Sequence, residues 1–176
     1  DGEFLSHSSS VGVAIDAFNN IYVTDSENHR IQKFDSSGNF LEKWESKDPG
    51  NEEFLRPSGI TVDTAGNVYV ADTDNYRIQK FDGSGNYLST LGSLGLGDGE
   101  FRWRVSDITI DASDNIYVLD GNLIKKFDSS GNFLVKWGSH GTGDGEFQWP
   151  WGIAVDAAGN VYVADSQNHR IQKFDS

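Results

Sequence analysis

The pattern Val-Asp-x-x-Gly-Asn-Val-Tyr-Val-Ala-Asp recurs, with small variations, four times along these 176 residues, and that repetition limits the available folds more than any other feature. The copies run 15–25, 62–72, 110–120 and 155–165. Their first aspartates, Asp16, Asp63, Asp111 and Asp156, lie 47, 48 and 45 residues apart. A period that long, containing several short strand-like runs, predicts a propeller or a repeat array. The repeats span approximately 1–50, 51–97, 98–143 and 144–176 of one domain.

Each repeat reads as four strands. In the fourth copy Gly152-Ile153-Ala154-Val155-Asp156 is a short apolar run closed by a turn. Asn160-Val161-Tyr162-Val163-Ala164-Asp165 then alternates β-branched and aromatic residues, as a half-buried strand does. A third strand follows at His169 to Asp175, and the fourth is clearest in the third copy, Asn132 to Gly138. First and second strands are joined by Asp-x-x-Gly-Asn, as at Asp63 to Asn67. The same device joins third to fourth at Asp35 to Asn39, Asp82 to Asn86 and Asp128 to Asn132. Glycine supplies the positive φ, and the Asp or Asn side chain bonds the turn backbone. No segment has a useful helical apolar period. The predicted class is all-β, a β-propeller of four-stranded blades.

Gly-Ile-Ala-Val-Asp, then Asn-Val-Tyr-Val-Ala-Asp, then Asn-His-Arg-Ile-Gln-Lys-Phe, resembles the NHL repeat family of β-propellers across nearly the whole chain. The resemblance implies a ring of about six four-stranded blades, whereas four repeats are present here. The last repeat stops at Asp175-Ser176, before its fourth strand. Asp1-Gly2-Glu3-Phe4 matches Asp98 to Phe101 and Asp144 to Phe147, which follow a fourth strand. The expectation is a last blade lacking its outer strand, with an unpaired edge open to self-association. Three arrangements follow: a part of a longer propeller, a closed four-bladed ring, or a ring completed by a second copy. The absence of methionine fits a trimmed chain.

The net charge is −13, with 27 acidic against 14 basic residues. That weighs against nucleic acid, since phosphate contacts need clustered cations, and against anionic membrane surfaces. No run of eighteen apolar residues and no signal-peptide pattern occurs, so the sequence reads as soluble. Without cysteine, disulfides and thiolate metal sites are excluded. The richness in Gly, Ser, Asn and Asp leans towards an extracellular prokaryotic protein, without fixing a compartment.

The histidines are His7, His29, His140 and His169. His29 and His169 share one slot of the repeat, which holds Tyr76 in the second copy, and such a slot reads as packing or surface. Neither His7 nor His140 has a metal-ligand partner at useful spacing. The resembled family includes an amidating lyase whose zinc is held by histidines from several blades, and no counterpart is identifiable here. No catalytic residue, metal ligand or cofactor is therefore assigned. A metal-dependent lyase or hydrolase in the channel stands as the rival from another class. The turn aspartates lack the alternating oxygen ligands of a dedicated calcium loop, and turn formation accounts for them.

Asp25, Asp72 and Asp165 each open Asp-x-x-Asn-x-Arg, with Arg30, Arg77 and Arg170. An acid and a guanidinium recurring at fixed spacing read as structural links between blades. Trp44 and Trp137, on fourth strands, read as inter-blade core. The third repeat breaks the pattern, because Asp120-Gly121-Asn122-Leu123-Ile124 is two residues shorter and lacks the arginine. That blade is expected to have a different rim, either a lesion or a functional notch.

Positions that vary between copies cluster just before the first strand, in Leu5 to Val11, Leu55 to Ser58, Arg102 to Asp107 and Gln148 to Trp151. First strands line a propeller's channel, so these segments should ring one of its mouths. They carry Arg56, Arg102, Trp103, Arg104, Trp149 and Trp151, and Trp and Arg are the residues most enriched at binding hot spots. The bland alternative is that the tryptophans only pack between blades. The reading is a non-catalytic interaction scaffold whose partner is a protein segment or a carbohydrate. A purely structural repeat array, engineered or excised, is the further alternative.

Overall fold

The computed structural model describes residues 11–45 and 53–175. Leu5 to Ser10 and His7, singled out above, lie outside them. The chain is all-β and forms four propeller blades. Blade one contains β1 (Val13–Ile15), β2 (Ile21–Asp25), β3 (Arg30–Phe34) and β4 (Phe40–Trp44). Blade two contains β5 (Pro57–Val62), β6 (Val68–Asp72), β7 (Arg77–Phe81) and β8 (Tyr87–Leu91). Blade three contains β9 (Val105–Ile110), β10 (Ile116–Asp120), β11 (Leu123–Phe127) and β12 (Phe133–Trp137). The connection to blade four carries a parallel pair, β13 (Ser139–His140) and β14 (Glu146–Phe147). Blade four shows β15 (Pro150–Val155), β16 (Val161–Asp165) and β17 (Arg170–Phe174) among the described residues. Each blade is an antiparallel meander with its strands in sequence order. None of the described helices is long and apolar enough to cross a membrane.

The turns hold this register. Asp63 Oδ1 accepts the amides of Ala65 and Asn67 at 3.0 and 2.8 Å, and its Oδ2 accepts the Asn67 side chain at 2.8 Å and the Tyr69 hydroxyl at 3.2 Å. The same set recurs at Asp16, Asp111 and Asp156. Burial alone would push the Asp63 carboxyl up, but the Asn67 bonds and the Lys80 charge outweigh it and hold it below the usual range. At Asp156 the Asn160 bond leads, and the carboxyl falls to about 2. The left-handed slot holds Gly66 and Gly159 in two turns but Asn19 and Asp114 in the others. Asn and Asp are the non-glycine residues that tolerate that conformation best.

The core lies between blades, in three clusters that each join one blade to the next. Trp44 is buried, with its ring 5.4 Å from Tyr22 of its own blade and 6.0 Å from Phe81 of blade two. Trp137 lies 6.4 Å from Tyr117 and 6.0 Å from Phe174 of blade four. The innermost strands pack in succession, β1 on β5, β5 on β9 and β9 on β15. Among the described residues, Val13 and Ile15 of β1 and Ile171 of β17 are exposed.

Candidate functional site

Before the first strands of blades two, three and four the chain must cross from the rim of one blade to the hub of the next, and a buried aspartate catches it. Asp72 accepts the Leu55 amide at 2.7 Å, Asp120 accepts Arg102 and Trp103 at 3.2 and 2.7 Å, and Asp165 accepts Gln148 at 2.7 Å. Asp72 also takes Asn75 Nδ2 at 3.0 Å, Arg77 Nε at 2.7 Å and Gln79 Nε2 at 2.8 Å. Asp25 repeats this with Asn28, Arg30 and Gln32, and Asp165 with Asn168, Arg170 and Gln172. Arg170 and Gln172 also donate to the Glu146 carbonyl. The Asp–Arg pairs thus lie within a blade and fasten the incoming connection to it. In blade three Lys125 stands where the others have glutamine, and its ammonium meets Asp120 at 3.0 Å with both groups buried.

The three-residue 3-10 turns Ser26–Asn28, Thr73–Asn75 and Ser166–Asn168 each end in a left-handed residue, His29, Tyr76 and His169. The His/Tyr slot is thus a turn position. His29 Nδ1 accepts the Arg56 amide at 3.0 Å. In blade three this turn is absent and Gly121, at φ +62°, makes the reversal. A Cβ there would sit 2.6 Å from Trp103 Cδ1, so the missing side chain makes room for the indole.

That substitution also interrupts a chain of hydroxyls. Ser26 donates to the Pro57 carbonyl of the next blade, and Thr73 donates to that of Val105 at 2.9 Å. Gly121 has no hydroxyl to continue the series. Ser58 Oγ meets Thr73 Oγ1 at 2.6 Å, whereas its counterpart Ser106 Oγ is buried without a partner.

Around this gap lies a cleft of about 680 Å³. Arg56, Trp103, Arg104, Trp149 and Trp151 all line it, and Arg102 does not, although its guanidinium lies 5.3 Å from the Trp103 ring. Trp103, Trp149 and Trp151 are 51, 63 and 55 % exposed. Arg104 pairs with Asp74 at 2.9 Å and Arg56 with Glu27 at 3.3 Å. Arg56 and Trp149 have φ of 52° and 48°, a conformation that costs a bulky residue on the order of 1–3 kcal/mol. One extra residue between Phe101 and Val105 takes blade three out of that conformation. Sequence reasoning missed Ser26, Thr73 and Asp74 in the lining. They come from the 3-10 turns of blades one and two, whose approach to the cleft depends on how neighbouring blades meet.

Asp107 closes the variable segment Arg102 to Asp107 without being singled out there, although comparing copies signals it: the other repeats have Gly12, Gly59 and Gly152 in its slot. Its Oδ2 accepts the Ile153 amide of blade four at 2.9 Å. Asp107 is half-buried, and burial pushes its carboxyl up to about 6 despite the Ile153 and Ile108 amides. A carboxyl raised in the folded state favours folding below the unfolded value near 3.8 and loses that advantage as pH rises through about 6. Asp107→Asn, which keeps an oxygen for Ile153, is therefore expected to raise stability at pH 8 by up to about 3 kcal/mol and to change little at pH 4. Urea midpoints at the two pH values check this. An equal shift at both would mean that ionisation is not the penalty.

Among the described residues no three His, Asp or Glu converge as a metal site. The NHL repeat family matches residues 11–34, 54–81 and 147–174, which fall on blades one, two and four. No curated protein matches the sequence. A structural genomics protein of unknown function from Bacteroides thetaiotaomicron superposes with a TM-score of 0.72 at 18% identity, over 94% of this chain and 47% of that one. A chain of a nidogen/laminin complex gives 0.69 at 21%, over 93% and 58%. A streptogramin B lyase gives 0.68 at 15%, over 98% and 57%. At these identities the likeness concerns the fold. The chain spans about half the length of these structures.

Proposed function

Because this chain carries NHL repeats folded as propeller blades, we propose that it is a non-catalytic binding module that holds a protein segment or a carbohydrate at one mouth of its channel. The observation behind this reading is the gathering of three half-exposed tryptophans around one cleft, beside the paired Arg56 and Arg104. Each indole offers about 150–250 Å² of rigid apolar surface with one N–H donor, which suits an extended peptide or the face of a sugar ring. Packing alone gives no reason to leave three indoles in water at one place. Nor does it favour strained φ at Arg56 and Trp149. The matched nidogen/laminin structure shows that a propeller of this kind occurs in a protein complex.

The test is a screen of displayed peptides and of an oligosaccharide array, read by quenching of tryptophan fluorescence. Replacing Trp149 and Trp151 together by alanine is expected to weaken binding at least about 100-fold while leaving the urea midpoint nearly unchanged. Full binding with a lowered midpoint would assign the indoles to packing. Stoichiometric zinc in the purified protein would instead favour the metal-dependent lyase.

A further inference from the structure

Blades one, two and three each turn one residue of the outer strand towards the following blade, beside an isoleucine of the third strand. Register defines the slot: Ile31 pairs with Trp44, Ile78 with Leu91 and Ile124 with Trp137. The first and third interfaces thus carry tryptophan there, and the middle one carries leucine. Trp44 lies between Tyr22 of its own blade and Phe81 of the next. It also fills the space against the β7–β8 turn, where a Cβ on Gly85 would sit 2.5 Å from the indole nitrogen. Gly131 holds the same place in the β11–β12 turn. A Cβ there would lie 3.4 Å from Leu91 Cδ1, so the shorter side chain stands back from the turn.

The space that an indole would take stays open. A pocket of about 170 Å³ lies between blades two and three, walled by Tyr69, Ile78, Leu91 and Ile116 and rimmed by Ser129 and Ser130. Tyr69, Ile78 and Ile116 belong to the cluster that joins these two blades, so the wall is rigid core. A polar tie also differs at this place. Lys33 of blade one donates across the interface to the Gly83 carbonyl at 2.6 Å. Its counterpart Lys80 instead meets Asp63 of its own blade at 3.4 Å and lies 4.6 Å from the Tyr69 ring centre, at the edge of the pocket. The pocket shares no residue with the cleft that holds the three exposed tryptophans.

We infer that this pocket is a second binding site, and that its ligand is a neutral planar aromatic molecule of about the size of indole. Two neighbouring interfaces set the shape, since the same arrangement of tyrosine and isoleucine accepts a flat bicyclic ring there. The Nε1 atoms of Trp44 and Trp137 are buried without a partner, so those interfaces hold the ring and not its N–H. In the pocket the serine hydroxyls at the rim can accept such a donor. The inner wall is apolar and offers water few partners, and an apolar cavity of about 150 Å³ is large enough to take up benzene. The volume falls well below the roughly 300–1,000 Å³ of sites for larger organic ligands, which limits the occupant to one small ring system. The Lys80 ammonium at the edge disfavours a cationic ligand. The site is independent of what the tryptophan cleft binds.

Titration of the isoleucine-methyl-labelled protein with indole, followed by NMR, tests this. The ring current of a bound indole should move the Ile78 and Ile116 methyl signals saturably. Half-saturation is expected at or below about 1 mM, within reach of so small a ligand. Leu91→Trp supplies the side chain that the other two interfaces carry. It is expected to weaken indole binding at least about 10-fold and to raise the urea midpoint, as filling a cavity does. Leu91→Phe fills less of the space, should weaken binding by less, and gives the same test if tryptophan disturbs the blade. Replacing Trp149 and Trp151 together by alanine should leave the titration unchanged, which separates this pocket from the cleft. Indole that binds only while those two tryptophans are present would overturn the inference. So would the absence of saturation below about 10 mM, or Leu91→Trp and Leu91→Phe variants that bind indole as the parent does.

Discussion

Asp72→Ala is expected to destabilise the fold by about 3–5 kcal/mol, the range for removing one partner of a buried ion pair. The carboxylate is fully buried, and the Arg77 side chain opposite it is 10 % exposed. Alanine would withdraw the acceptor from the Leu55 amide, the Asn75 and Gln79 side chains and the Arg77 guanidinium together. Each buried donor left unmet costs about 1–3 kcal/mol. Against a total of about 5–15 kcal/mol for a domain, this leaves little margin. Asp165→Ala is the comparison. Its acceptor set is alike, but Arg170 is 27 % exposed and can turn to water, so a smaller loss is expected. Urea midpoints at neutral pH rank the two variants. Equal losses, or less than about 1 kcal/mol for Asp72→Ala, would show that the surroundings re-solvate the cluster.

That cluster also marks how far the sequence could be read. The recurrence of Asp-x-x-Asn-x-Arg announces a structural pair and suggests a link between blades. In the fold Asp72 and Arg77 belong to one hairpin and hold the connection entering it. Spacing shows that two residues act together without showing which backbone donor completes the set. The blades and turns were legible because each depends on residues at most a few positions apart, as at Asp63 and Asn67. The rim segments were legible for the opposite reason, since variation among copies exposes positions that the shared scaffold leaves free. The part Gly121 plays in clearing space for the Trp103 indole was not, because Gly121 belongs to a different turn. The shortened turn of blade three did signal a changed rim. Its content, an orphaned Ser106 hydroxyl and a buried Lys125–Asp120 pair, needed the hub geometry.

Gly59→Ala should cost about 3 kcal/mol or more, the upper range for overpacking a tight interior. Strands converge towards the channel, and at Gly59 the hub strands of blades two and three leave no room for a methyl group. Its Cβ would lie 2.6 Å from Asp107 Oδ1, 2.7 Å from Asp107 Cα and 2.8 Å from Ile108 N. The carboxylate can swing aside, but the backbone atoms move only if β5 and β9 separate, which would open the cluster around Ile108 and Val105. Two other glycines isolate the cause. Gly66→Ala places a methyl group in open space at φ +84°, so only left-handed strain, about 1–2 kcal/mol, is expected. Gly152→Ala occupies the same slot as Gly59 but meets only ordinary contacts at 3.7 and 3.9 Å. Its effect should stay within about 0.5 kcal/mol. Denaturation curves for the three variants separate crowding at the hub from backbone strain. If Gly59→Ala were no worse than Gly66→Ala, the hub strands would have to be free to part, and close approach would not explain glycine at that position.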